Sequence, residues 1–472
     1  MKEAPLSGGP DRELRLVPGV SCARGDGEIR VATRRRNASL GADAPWKGKM
    51  LARLAHGASR PSDLVADAAQ DAEPVEVEAL IAQLEAGGWL AVAVRYGGRT
   101  LYTLLPESPL GTAPGSGGGG DGAVLSRFTV VRRERDGLVA ESPLASARLE
   151  THDPAVRAAV GVLAGAGGAA ELAAVAPAAA ARERLVADLL RSGLAVSSAE
   201  EEGAQLRLGQ WQPHELWFHR RSRMGDRSDA AEGYGRTMWA RGSHDPLPGR
   251  REPYPGPEVA LHRPSLEALR RADPTLTSVV EDRRSLRVHD DDNPITADQL
   301  GELLYRCARV RSERAGDGVE YLSRPHPSGG SVYELELYPV VRLASGLDAG
   351  MYHYDAHAHR LRLVQEAGPD VRRLMRTALR AAPTPGTPQV LIVVTARFGR
   401  LMWIYEQMPY SLILKHVGVL YQTMYLVATA MGLAACGLGG GDATDFNAAT
   451  GTDYATESAV GEFSLGSRPP LE

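Results

Sequence analysis

Arg283-Arg284-Ser285-Leu286-Arg287 sets three guanidiniums and a hydroxyl within one turn's reach of one another, ahead of a predicted helix. A guanidinium is a planar fork that donates two parallel hydrogen bonds to phosphate oxygens, and such charge-assisted bonds are roughly twice as strong as neutral ones. The stretch reads either as a phosphate site in miniature or as a solvated basic turn, and a motif this short does not separate the two. Its neighbours carry more. Pro294 to Arg309 has helical periodicity, with Thr296 as N-cap and Gln299 three residues later completing a capping box. Then comes Ser323-Arg324-Pro325-His326-Pro327-Ser328-Gly329-Gly330, where proline fixes the backbone and paired glycines let main-chain amides approach a planar ligand. Tyr333 to Arg342 follows as a mostly apolar strand or helix-strand junction.

Further on, Val417 to Gly441 carries no charged residue and matches a membrane span in length. Its Tyr421, Gln422, Thr423, Tyr425 and Thr429, and its glycine-rich end, argue instead for a buried helix in a domain centre or subunit interface. Gly432-Leu433-Ala434-Ala435-Cys436-Gly437-Leu438-Gly439-Gly440-Gly441-Asp442 reads as a glycine loop closing that helix. It lacks the Lys-Ser/Thr ending of a P-loop, and it does not follow a short strand as a dinucleotide fingerprint would.

Upstream, Gly111 to Gly122 is mostly glycine and cannot bury enough to fold. Before it, residues 16–106 read as an opening strand pair, helices that include Leu80, Ile81 and Leu84 at helical spacing, the break Gly87-Gly88, and a strand pair. After it the order recurs: strands over Phe128 to Val139, a helix over Ala155 to Leu163, then Leu185, Leu189, a break at Gly193 and Leu194-Ala195-Val196. Leu84 with Leu189 and Gly88 with Gly193 keep one offset, as two copies of a unit would. The expected organisation is a winged-helix-like module over 1–110, a linker over 111–123, a second such module over 124–212, a connector over 213–264 and a catalytic-type domain over 265–472. The first copy holds Arg34-Arg35-Arg36, Lys47 and Lys49, the second Glu200-Glu201-Glu202, an asymmetry that disfavours a DNA-binding pair. Such a module either accepts an extended peptide at its strand edge or packs against its neighbour.

The chain has 472 residues, enough for two or three domains, and a formal net charge of -4, so neither nucleic acid nor an anionic membrane is expected as main partner. Cys22, Cys307 and Cys436 are far apart, which argues against a disulfide framework or a zinc site and suits a reducing cytoplasm. Met1 through Asp11 has no apolar core of a secretory signal.

Taken together, Phe218-His219-Arg220-Arg221-Ser222-Arg223, Pro327-Ser328-Gly329-Gly330, Gly350-Met351-Tyr352-His353-Tyr354-Asp355 and Leu412 to Asp442 resemble the FMN-dependent nitroreductase-like superfamily. Within it, the chain looks most like the SagB-type azoline dehydrogenases of thiazole/oxazole-modified peptides. The resemblance implies an α+β fold with a central antiparallel sheet flanked by helices. It implies that Arg283, Arg284, Ser285 and Arg287 grip the FMN phosphate with Arg468 as a late contact, and that Pro327, Ser328 and Gly329 line the flavin ring. Leu438, Gly439 and Gly440 would lie over another part of the ring, with a backbone amide near N5, at a homodimer interface built from both chains.

The implied reaction oxidises a peptide-borne thiazoline or oxazoline to the azole, with a proton taken from one ring carbon, hydride passed to FMN and reoxidation by O2. The precursor peptide is then the substrate, and a cyclodehydratase a partner. Relatives carry a Lys-Tyr pair where this chain has Ile404-Tyr405. Tyr405 matches, whereas Ile404 cannot take a proton, so Tyr410 and Lys415 are candidate substitutes. Two other readings stand beside this one: a peptide-binding scaffold that has lost its chemistry, and a small-molecule nitroreductase.

Overall fold

The computed structural model describes residues 9–33, 36–107, 122–134, 137–165, 167–175, 178–223, 237–381, 386–406 and 408–470. The linker stretch 111–121, Arg34, Arg35 and Gly233-Tyr234-Gly235 lie outside the described residues. The chain divides into two compact units, Met1–Ala231 and Glu232–Glu472.

In the first unit, helices Pro45–His56, Pro61–Ala68 and Pro74–Ala86 lead through the Gly87-Gly88 break into the hairpin of Leu90–Tyr96 and Arg99–Pro106. Gly88 has a φ of 65°, a left-handed conformation that costs glycine nothing. The second copy repeats the helix-glycine-strand step: helix Ala179–Ser192, Gly193 at φ 79°, then Ala195–Val196. Arg99–Pro106 also pairs with Ala147–Thr151, so one six-stranded sheet carries strands from both copies. Of the basic residues singled out here, the described Arg36, Lys47 and Lys49 are engaged internally. Arg36 donates to the carbonyls of Gly87 and Gly88 at 2.6 and 2.7 Å and lies 4.0 Å from the Trp89 ring centroid. Lys47 donates to the Leu40 carbonyl at 2.8 Å, and Lys49 pairs with Asp71.

The second unit is built on a seven-stranded sheet of β1 (Glu258–Ala260), β2 (Leu335–Val341), β3 (Gly350–Asp355), β4 (Arg360–Glu366), β5 (Val390–Arg397), β6 (Leu433–Leu438) and β7 (Glu457–Ser467). Their spatial order is β1-β4-β3-β2-β5-β7-β6, antiparallel throughout. Five helices serve it: α1 (Leu276–Asp282), α2 (Ala297–Ala308), α3 (Pro369–Ala381), α4 (Pro409–Ala430) and α5 (Ala443–Thr450). Strand side chains alternate between faces. Leu335, Leu337, Ile392 and Val394 meet α2 and α4, whereas Tyr338, Val340, Leu391 and Val393 meet α3 and α5. Each large aliphatic side chain removed from water contributes about 1.5–3 kcal/mol, so the two apolar layers fix the sheet and with it the loops at its edge.

The capping box forms as expected: Gln299 N–H donates to Thr296 Oγ1 at 3.1 Å, and Thr296 N–H donates to Gln299 Oε1 at 2.9 Å. Three expectations need correction. The uncharged run is not one helix closed by a loop, because α4 ends at Ala430, Gly432 turns at φ 69°, and the next six residues are the edge strand β6. The glycine loop therefore does follow a short strand, and it spans only Gly439 to Gly441 before Asp442 caps α5. Nor is α4 buried all round. It hides Ile413, His416, Val417, Leu420 and Met424, but within the uncharged run Val419 is 36% exposed, and ahead of it Tyr410 and Leu414 are 42% and 39% exposed. A domain centre would cover that face, whereas a subunit interface would not require it to be buried in one chain. Finally, Arg283 to Arg287 follow the end of α1 instead of introducing a helix, and touch β6, with Leu286 N–H donating to the Ala435 carbonyl at 3.0 Å.

Candidate functional site

Helix α4 organises three groups of candidate residues. Near its C-terminal end, Ser285 Oγ lies 2.9 Å from the Tyr425 hydroxyl, which accepts the Gly437 N–H at 2.7 Å. The Arg283 guanidinium stands 5.4 Å from the Tyr425 ring centroid, within cation–π range. Arg284, Arg287 and Arg468 are exposed, and no ion pair or hydrogen bond engages their guanidiniums among the described residues. Ser467 binds the Asp290 carbonyl through its hydroxyl at 2.9 Å, which lays the chain before Arg468 against the chain after Arg287.

The second group surrounds a cleft of about 430 Å³ lined by Tyr410, Leu414 and Tyr421 of α4, by Leu438 to Gly441, and by Ala459 to Glu462. Four consecutive residues of β7 reach it because the ladder to β5 slips between Val394 and Thr395, leaving Val460 as an extra residue. A β-carbon on Gly439 would meet nothing within 4 Å, so the loop backbone faces open space. Glu462 was not expected here. Burial first, then the Asp442 carboxylate, pushes its carboxyl up to about 7. The sequence did hold one signal for it: Glu462 is a lone charge in the otherwise uncharged run 458–467.

The third group lies at the N-terminal half of α4. Pro327, Ser328 and Gly329 lead into a tight turn with Gly330 at φ 63°, and Gly329 N–H donates to His416 Nε2 at 2.8 Å. His416 Nδ1 in turn donates to Glu334 Oε1 at 2.7 Å, which fixes the imidazole tautomer. Glu334 is fully buried. A β-carbon on Gly330 would lie 3.0 Å from the Tyr405 hydroxyl, so Tyr405 packs directly on this turn. Arg400 braces it from behind, donating from Nε to the Val332 carbonyl at 3.1 Å and from Nη1 to the Leu247 carbonyl at 2.8 Å. Burial lowers this guanidinium to about 10. Of the two candidate substitutes for the missing lysine, Tyr410 lines the cleft and Lys415 is exposed outside it. Ile404 packs against the main core.

Residues 280–467 match the nitroreductase family model, and residues 123–228 match the model of the cyanobactin oxidase ThcOx. The protein MJ1384 of Methanocaldococcus jannaschii, named as a nitroreductase, is 26% identical over 186 residues, 39% of this chain and 85% of that protein. The trifolitoxin-processing protein TfxB of Rhizobium leguminosarum bv. trifolii is 28% identical over 145 residues, 30% of this chain but only 39% of TfxB. A crystal structure from Ralstonia eutropha, also named as a nitroreductase, aligns with a TM-score of 0.37 and 21% identity, covering 48% of this chain and 96% of that one.

The C-terminal unit is a nitroreductase-family oxidoreductase domain. Ahead of it lies the segment that matches the cyanobactin oxidase model, so the chain joins a ThcOx-like stretch to a nitroreductase-family domain. Members of the nitroreductase family typically bind FMN. The residues present fit that group: uncommitted guanidiniums and a serine stand at one end of β6, and an open glycine backbone beside a cleft stands at the other. Ala435 and Leu438 are three residues apart, about 10 Å of strand. The cleft volume also falls in the range usual for cofactor sites. No helix among the described residues is long and apolar enough to cross a membrane, and none of their His, Cys, Asp and Glu side chains cluster as metal ligands.

Proposed function

We propose that this protein oxidises thiazoline or oxazoline rings of a ribosomal precursor peptide to azoles, with FMN as its cofactor and O2 as final acceptor. The observation that carries this reading is the pairing of a ThcOx-type segment with a nitroreductase-family domain whose cleft fits a flavin. When bound, FMN supplies a two-electron hydride acceptor. Arg283, Arg284, Ser285, Arg287 and Arg468 hold its phosphate, and Leu438, Gly439 and Gly440 border its ring. Pro327, Ser328 and Gly329 line the ring from the other chain of a homodimer, for which the exposed Tyr410 and Leu414 of α4 supply an apolar face. Tyr405 handles a proton at the Gly330 turn. The winged modules receive the precursor peptide, a cyclodehydratase forms its rings, and the three unpaired cysteines suit the cytoplasm.

Purified protein should be yellow and retain FMN, and an azoline peptide should lose two hydrogens per ring without added nicotinamide. Tyr405→Phe should keep the flavin and lower turnover by about 10²-fold or more, measured on that peptide; unchanged turnover would make Tyr405 a packing residue. Colourless protein that FMN does not restore would favour the peptide-binding scaffold, with which the apolar Ile404 agrees.

A further inference from the structure

Three ionisable side chains line the cleft beside the glycine loop, namely Tyr410, Tyr421 and Glu462, and no lysine, arginine or histidine does so among the described residues. Glu462 is fixed by its neighbours. It pairs in register with Leu438 at the end of β6, and its carboxyl packs on Gly441, where a β-carbon would lie 1.9 Å from the carboxyl carbon. The residue is 7% exposed, the charge that acts on it is the like-signed Asp442, and no ion pair or hydrogen bond engages its carboxylate among the described residues. An unpartnered acid buried at a cleft is costly to keep in the charged state, and groups so placed concentrate at functional sites. Burial pushes both phenols up, so they hold their protons at neutral pH, while Glu462 changes protonation near 7. That is where a general base works best.

We propose that Glu462 is the base of this cleft, accepting the proton that a thiazoline or oxazoline loses from one ring carbon as it becomes aromatic. The assignment rests on the azoline reading above. The ring C–H bond breaks with its proton passing to a carboxylate oxygen of Glu462. The hydride of the adjacent carbon goes to a flavin-class oxidant, and a C=C bond closes the aromatic ring. Glu462 thereby supplies the basic group that Ile404 cannot.

The test uses the full-length protein loaded with FMN, with the flavin held reduced so that proton removal runs without oxidation. Deuterium uptake from D2O at the azoline ring is read by mass spectrometry, and ring oxidation is read separately in air. Wild type should exchange at a rate that rises with pH and levels off above about 7. Glu462→Gln should exchange about 10²-fold or more slowly with normal flavin content, and Glu462→Asp should recover part of the rate. Exchange and oxidation in Glu462→Gln within twofold of wild type would overturn the assignment while leaving the azoline reading intact. A wild-type profile flat between about pH 6 and 8 would do the same whether or not the variants fold. A variant that changes flavin spectrum or retention but still exchanges would make Glu462 a cofactor contact instead. Wild type that holds FMN yet neither exchanges nor oxidises azoline peptides would remove the azoline reading, and the base with it.

Discussion

Glu334 and Glu462 are both buried acids in the neighbourhood of α4, yet one is fully matched and the other is not. Glu334 meets His416, which meets the Gly329 amide, so the buried acid, the imidazole and that amide all have partners. Glu462 meets Gly441 and the like-charged Asp442, and its cleft lies open. A satisfied buried network rigidifies its surroundings. An unsatisfied one keeps its groups available to a ligand. The chain therefore holds the shape of the Gly329 turn internally, and leaves the glycine cleft and the arginines to be completed from outside.

The strongest way to break the matched end is His416→Ala, which takes the Nδ1–H donor from the buried Glu334 carboxyl and the acceptor from the Gly329 amide, and should lower stability by about 3 kcal/mol or more in denaturant unfolding. A loss under about 1 kcal/mol would show that the two regions do not differ. At the unmatched end the sign reverses. Glu462 has a folded-state pKa above its unfolded value, so the folded chain binds the extra proton, and wild-type stability falls as pH rises from the ordinary glutamate range through about 7. Glu462→Gln cannot ionise and should gain up to about 3 kcal/mol over wild type at pH 8, with little difference near pH 4, read from melts at both. Arg283→Ala should weaken FMN retention by about 1.5–3 kcal/mol, measured by fluorescence titration, with unfolding of the flavin-free protein nearly unchanged. Lys415→Ala, on the exposed side of α4, should change stability by less than about 0.5 kcal/mol and leave the flavin in place; a larger effect would mean that this face is covered.

What could be read from the sequence was local. Thr296 and Gln299 are three residues apart and cap their helix as that spacing dictates. The three arginines around Ser285 are adjacent, and so are the glycines after Leu438. The end of α4 was hidden because the run carries no charged residue, and past Thr429 no polar one, to mark a change from helical to strand period, so only Gly432 signals it. His416 and Glu334 are 82 residues apart, and Ser285 and Tyr425 are 140 apart, so no spacing rule could join them. Glu462 stands out in the sequence as a lone charge, but its place at the cleft follows only from the bulge at Val460 and the missing β-carbon of Gly441.

The bond from Leu286 N–H to the Ala435 carbonyl has a meaning beyond cofactor binding. β6 is the margin of the sheet, and an uncovered margin is a template on which another chain can pair. The arginine segment takes one carbonyl of that margin through Leu286, so residues offered to an anion also occupy part of the edge on which a second chain could pair.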